Sequence, residues 1–254
     1  MNTIGLLGGM SWSSTIPYYR IINQVVSERL GGLHSARLVL YNAEFREIEL
    51  LQRANAWNEI GHRLGAGAEA LKSAGAGLVV LCSNTMHKMS EMIEDIAAVP
   101  LLHVVDATAE EIKRVGLTKI GLLGSRYTME QEFYSGRLRD KHGLDVLILP
   151  EAERSYLHKI IYDELCYGRI SDESRRKCRR IIQDLIDRGA QGVILGCTEI
   201  STFIGESGSS TPIFDAMAIH AHRAAEWVLD RKTFDRTPTN LSRGSRLYRD
   251  IHVE

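Results

Sequence analysis

The sequence predicts an α/β protein made of two pseudo-symmetric Rossmann-like halves, each a four-stranded, mostly parallel sheet flanked by helices. Three observations predict it. Short, continuously apolar runs alternate with longer amphipathic segments along the chain, the pattern of parallel strands buried on both faces and joined by helices. The runs also recur in order: IGLLG at 4–8 returns at 120–124, and GAGLVVLCSNT at 75–85 returns as GAQGVILGCTE at 189–199. VPLLHVVD at 99–106 is echoed by TPIFD at 211–215, so the three offsets are 116, 114 and 112 residues. Valine-rich strands resemble one another by chance, but chance does not keep three landmarks in order at a near-constant spacing.

The first half holds strands at 3–8, 37–42, 77–82 and 101–105; the second holds 119–124, 145–150, 192–196 and 212–215. Helical periodicity fills the intervals at 13–30, 56–74, 86–96, 106–116, 128–141, 152–167, 172–188 and 216–230. In 172–188, Cys178, Ile181, Ile182, Leu185 and Ile186 form one apolar face while the Arg and Asp residues face away. The halves are read as 1–105 with a return segment at about 216–231, and as 106–215. The stretch 232–254 is polar, rich in Arg, Ser and Thr and without period, and reads as a poorly ordered tail.

With 254 residues, 44% of them apolar, the chain fills a core without disulfides or structural metal. A net charge of −1 excludes the basic footprint of a nucleic-acid binder. No apolar run approaches the roughly 20 residues that span a bilayer. The four cysteines show no C-x-x-C or zinc spacing, which fits reduced thiols in a cytoplasmic protein. G-x-G-x-x-G, Walker A and G-x-S-x-G are absent, and His220 and His222, two apart on a helix, do not share a face. The reading calls for no cofactor and no metal.

In open parallel sheets, ligands gather at the carboxyl ends of the strands, where helix N-termini also point. Four loops satisfy that rule: 8–15, 82–85, 124–128 and 196–199. Asn84, Thr85 and Thr198 are good N-cap types, and free N–H groups in such a first turn favour a carboxylate or phosphate. A thiol at Cys197, beside a helix N-terminus, is shifted toward neutrality. Cys82 and Cys178 read as small buried hydrophobes, with Cys82 facing opposite to Ser83. Glu199 either positions a neighbour or favours the helix dipole. The offset of 114 puts Ser83 in the place of Cys197. Two facing groups, one from each half, suit a reaction in which one takes a proton and the other returns one from the opposite side. His87, one turn beyond Ser83, reads as a helix-face histidine.

At these residues the sequence resembles the PLP-independent aspartate/glutamate racemase family. GLLGGMS near the start, CSNT, GSRYT, and GCTE followed by a P-I-x-D strand stand in the family's order, over residues 1 to about 230. The opening IGLLGGMSW-STIPYYR is similar to the branch that holds L-aspartate/glutamate-specific and broad-specificity amino-acid racemases. The resemblance implies an active site in the cleft between the halves, an amino-acid substrate and a homodimer. It implies one cysteine thiolate that removes the α-proton and a second thiol that protonates the opposite face, and these positions are Ser83 and Cys197. It assigns the α-carboxylate and ammonium contacts to Asn84, Thr85 and Thr198, with Thr128 contributing and the Met10–Ser11 loop closing one wall.

The chain departs from that pattern in three places. Ser83 replaces a cysteine, and a hydroxyl is a far weaker acid than a thiol, so strongly unequal rates from the two enantiomers are expected. Cys166 stands where aspartate-specific members carry a lysine. Their Pro-Asp-Arg loop is here NAEFREIELLQ, with Arg46 as the nearest cation and Arg53 and Gln52 as alternatives. Aspartate, glutamate and neutral polar amino acids all stay open as substrates. So do a related isomerase or decarboxylase using Cys197 alone on a small dicarboxylic acid, and a binding module without turnover.

Overall fold

Two four-stranded parallel sheets form in the computed structural model, which describes residues 1–198, 200 and 211–229. The first contains β1 (Thr3–Gly8), β2 (Arg37–Asn42), β3 (Val79–Leu81) and β4 (Leu101–Leu102), in the order β2-β1-β3-β4. The second contains β5 (Lys119–Gly124), β6 (Asp145–Leu147), β7 (Gly192–Gly196) and β8 (Ile213–Asp215), in the order β6-β5-β7-β8. The registers agree as well as the orders. Leu7 lies opposite Leu81 and Leu123 opposite Leu195; Val79 lies opposite Leu101 and Val193 opposite Ile213. The spacings read from the sequence therefore superpose one sheet on the other residue by residue.

The helices are α1 (Trp12–Leu30), α2 (Phe45–Arg53), α3 (Trp57–Ser73), α4 (Ser90–Ala97), α5 (Val104–Arg114), α6 (Arg126–Glu130), α7 (Glu151–Asp163), α8 (Asp172–Asp187) and α9 (Ala216–Leu229). On one face of the first sheet, Ile4, Leu6 and Val80 pack with Ile22 and Val26 of α1 and Ala221 and Ala225 of α9. On the other face, Leu7, Val79 and Leu81 pack with Ile60 and Leu64 of α3 and Ile93 of α4. Helices α3 and α4 approach closely because α3 offers glycine at the contact: a Cβ on Gly65 would come 2.7 Å from Ile96 Cδ1. The second sheet is sandwiched in one core that includes Ile112 of α5, Leu157 and Ile161 of α7, and Ile181 and Leu185 of α8.

Several boundaries differ from the sequence reading, each for a local reason. The strand expected over 101–105 stops at Leu102, because His103 Nδ1 accepts the Val105 N–H (3.2 Å) and Val104–Val105 open α5 instead. Burial of both valines in the second core overrides their β preference. The helix expected over 128–141 breaks after Glu130, where Gln131 is extended (φ −104°, ψ 144°), and a separate π-type turn spans Arg137–Lys141. Asp106 anchors that turn through Arg137 Nε (2.7 Å), Lys141 Nζ (2.8 Å) and His142 Nε2 (2.8 Å).

The helix expected over 152–167 ends at Asp163 and is followed by a 3₁₀ turn at Leu165–Tyr167. The Glu164 carboxylate accepts the Ser171 N–H (2.8 Å) and the Ser174 hydroxyl (2.7 Å), which ties the turn to the start of α8. The helix expected over 86–96 begins as a 3₁₀ turn, Thr85–Met89, before α4. NAEFREIELLQ, read as a loop, holds α2, capped by the Glu44 carboxylate accepting the Glu47 N–H (2.8 Å). Strand β2 lies at a sheet edge and is largely exposed rather than buried on both faces. Glu199 and the tail at 232–254 lie outside the described residues. No helix of the described residues is long and apolar enough to cross a membrane.

Candidate active site

The strand order creates a crevice twice. From β1 the chain moves outward to β2, whereas from β3 it moves the other way to β4, so the loops after β1 and β3 diverge. The same divergence follows β5 and β7. Between the two crevices lies a cavity of about 50 Å³. The first half lines it with Met10 after β1, with Ser83, Asn84, Thr85 and Met86 after β3, and with Phe45 and Gln52 of α2. The second half contributes Ser125 after β5, Gly196, Cys197 and Thr198 at the end of β7, and Ile161, Tyr162 and Cys166 from α7 and the turn behind it. Ser83 and Cys197, equivalent by register, thus face one small space.

On the first side, Ser83 is held through its backbone. His87 Nδ1 donates to the Ser83 carbonyl (2.8 Å), and Nε2 accepts the Val104 N–H (3.1 Å). That ring is neutral with both nitrogens committed, and burial lowers its pKa to about 4. It therefore cannot act as a base toward the Ser83 hydroxyl. His87 packs against His103 and His220, with ring centroids 4.7 and 5.5 Å apart. His220 Nε2 donates to the Leu102 carbonyl (2.9 Å) and Nδ1 accepts the Tyr18 hydroxyl (2.9 Å). Burial lowers its pKa to about 3.

Asn84 is oriented from the other half, because the buried Tyr134 hydroxyl donates to its Oδ1 (3.3 Å). Burial pushes the Tyr134 pKa up, so the hydroxyl stays a donor. With the oxygen end of the amide engaged there, its NH₂ end is left for the cavity.

On the second side, the Thr198 hydroxyl donates to Ser14 Oγ (2.7 Å), and Ser14 Oγ lies 3.4 Å from Ser11 Oγ. A second hydroxyl pair, Thr85 Oγ1 and Ser125 Oγ (2.9 Å), also joins the halves. Gly196 lets strand and helix close up beneath Cys197: a Cβ there would meet the Leu123 carbonyl oxygen at 2.9 Å and the Thr128 methyl at 3.1 Å.

Of the residues singled out from the sequence, Met10, Gln52, Ser83, Asn84, Thr85, Cys166, Cys197 and Thr198 line the cavity. Thr128 does not. It is fully buried, with its methyl against Gly124 and Gly196 and its hydroxyl 3.2 Å from Ser125 Oγ, so Ser125 stands at the wall. Ser11 is buried behind Met10 in the hydroxyl cluster. Arg46 and Arg53 both pair with Glu49, and their side chains are mostly exposed. Cys82 and Cys178 are buried, as expected, and burial pushes both thiols up, Cys178 to about 11. Sequence reading missed Phe45, Met86, Ser125, Ile161 and Tyr162. Ser125 opens the GSRYT loop and was within reach as the N-cap type there; the others arrive on helices whose facing partner no local pattern reveals.

The molecule is a duplicated parallel α/β fold with one strand-end cleft between its halves. The family model for Asp/Glu/hydantoin racemases matches residues 7–224, and the chain belongs to that family. It is 23% identical over 221 residues to a broad-specificity amino-acid racemase of Bacillus subtilis (strain 168), covering 85% of this chain and 93% of that one. Its structure is similar to that of a candidate Asp/Glu racemase from Yersinia pestis, with a TM-score of 0.85 and 52% identity, over 91% of this chain and 100% of that one. An aspartate racemase homologue from Pyrococcus horikoshii OT3 gives a TM-score of 0.77 at 32% identity, again over 91% and 100%.

Proposed function

We propose that the protein is a cofactor-independent amino-acid racemase. In this reading the Cys197 thiolate removes the α-proton, and Ser83 faces the substrate from the opposite side. The observation that supports it is the convergence of two register-equivalent residues, one from each half, on one cavity. The Asn84 NH₂ end, together with the Thr85 hydroxyl, binds the α-carboxylate, and the Thr198 oxygen, whose proton goes to Ser14 Oγ, accepts from the α-ammonium. Residues 1–105 with the return segment 216–231 form one half and 106–215 the other. Packing of α9 on α1 supports this division, while the burial of Val104 and Val105 in the second core moves the boundary to about residue 103, and 230–231 lie outside the described residues.

Chemistry on the two faces is unequal. A thiolate accepts a proton readily, but a serine hydroxyl, a far weaker acid than a thiol, returns one slowly. Exchange of the α-proton through Cys197 is therefore fast, and inversion through Ser83 limits the rate. The test follows α-proton loss by NMR while L- and D-amino acids are incubated with the enzyme in D₂O. Exchange with at least one amino acid, abolished by Cys197→Ala, is the expected result. No exchange with any common amino acid, or full exchange by the variant, would refute the reading.

A further inference from the structure

We infer that His87 is a positioning residue for the inversion step, acting on Ser83 through its backbone. The inference rests on the racemase reading above and adds a residue to it. The two register-equivalent residues are not held alike. On the second side the ladder between β5 and β7 runs to the pair Gly124 and Gly196, so Cys197 follows directly on a paired strand residue. On the first side the ladder between β1 and β3 stops one register step earlier, at Leu7 and Leu81, and Ser83 lies two residues past the end of β3. The Cys82 N–H still donates to the Leu7 carbonyl (2.9 Å), but Ser83 stands beyond the ladder.

Its hydroxyl is not tied either. Asn84, Thr85 and Thr198 each hydrogen-bond a side chain of another element, namely Tyr134, Ser125 and Ser14. Among the described residues, no hydrogen bond holds the Ser83 hydroxyl. Its aim into the cavity is therefore set by the Ser83 backbone.

What holds that backbone is the buried His87 ring. Nδ1 donates to the Ser83 carbonyl (2.8 Å), and Nε2 accepts the Val104 N–H (3.1 Å), which fixes the tautomer. Val104 is packed in the core of the second half. The ring thus ties Ser83 to the place where the chain crosses from one half to the other. A misplacement of a reacting group by about 1 Å costs on the order of 100-fold. The clamp therefore governs the step that uses Ser83, and leaves the step at Cys197, which stands on the other sheet.

The experiment measures two rates on L-aspartate, L-glutamate, L-asparagine and L-serine: α-proton exchange in D₂O by NMR, and inversion by chiral chromatography. His87→Gln keeps an acceptor for the Val104 N–H but loses the donor at Nδ1. Inversion should fall about tenfold or more, while exchange stays within about threefold. His87→Asn puts an amide nitrogen in the place of Nδ1, and inversion should return to within about threefold of wild type. A ring that serves only stability would lower both rates together, and that result would overturn the inference. So would a ratio of inversion to exchange that is unchanged in His87→Gln, or equally lowered in both variants. If His87→Gln does not fold, ¹⁵N NMR of the wild type decides: a protonated Nδ1 on His87 is expected, and a protonated Nε2 in its stead would overturn the donor role. Absence of exchange with every substrate would fail the racemase reading itself, whereas exchange with an unmoved ratio fails only this inference.

Discussion

After β3 the chain runs Ser83-Asn84-Thr85, and after β7, in the same register, it runs Cys197-Thr198. The strands behind them superpose pair by pair, yet what supports each end differs. Below the first lies a buried cluster of three imidazoles, one of which holds the Ser83 carbonyl. Below the second lie Gly124 and Gly196, closed over the methyl of Thr128. The duplicated backbone keeps the two groups aimed at one cavity, while their acidity and underpinning have diverged. Geometry is shared between the halves; proton affinity is not.

The most severe way to break this comparison is Cys197→Ala. If Cys197 is the proposed base, removing its thiol should lower α-proton exchange by roughly 10²–10⁴-fold, measured by NMR in D₂O. A residual rate near wild type would mean that the two sides are chemically interchangeable after all.

The imidazole cluster makes the next difference visible through pH. The His87 pKa is lowered to about 4 and that of His220 to about 3, against an ordinary value of 6.5. Between those limits the unfolded chain binds more protons than the folded one, so stability is complete above pH 6.5 and is lost as pH falls toward 4 and below. The shift at His87 corresponds to about 3 kcal/mol. Melting temperature should drop over that window, and amide exchange at Ser83–His87 and Val104–Val105 should quicken before that of β7. A melting temperature that stays flat from pH 7 to 4.5 would remove the asymmetry from this explanation.

Restoring a thiol sharpens the contrast from the other side. Ser83→Cys should bring the L and D exchange rates at least about tenfold closer to equality, since both faces then carry groups of similar acidity. If wild type already treats the enantiomers alike, Ser83 is not the weaker partner. A smaller effect concerns orientation: Tyr134→Phe frees the Asn84 amide to rotate and should raise KM about three- to tenfold with kcat changed less. A change confined to kcat would show that Asn84 does not depend on Tyr134 for substrate binding.

Both halves and the equivalence of Ser83 with Cys197 follow from repeats spaced 116, 114 and 112 residues apart, whereas the strand order within each half was supplied by the structure. Periodicity and repetition are local or self-referential, so one chain displays them without its partners. The α2 helix was legible too, since Phe45, Ile48 and Gln52 share a helical face behind the Glu44 cap, but a charged run following a strand was read as loop.

Other features had no local signal. Tyr134 and Asn84 are 50 residues apart, and Thr198 and Ser14 are 184 apart. Whether His87 serves as a base or as a clamp is decided by the Val104 N–H, 17 residues away. The same holds for charge: the sequence offers Arg46 and Arg53 beside the site, and only packing shows both drawn to Glu49, with Gln52 left facing the cavity. Sequence by itself determined the duplicated α/β frame and the pair of strand-end residues, because burial and repetition write those into local pattern. Tertiary structure alone decided which polar groups are spent on one another and which remain for a substrate, because hydrogen bonds and ion pairs form between segments that meet only when the halves close.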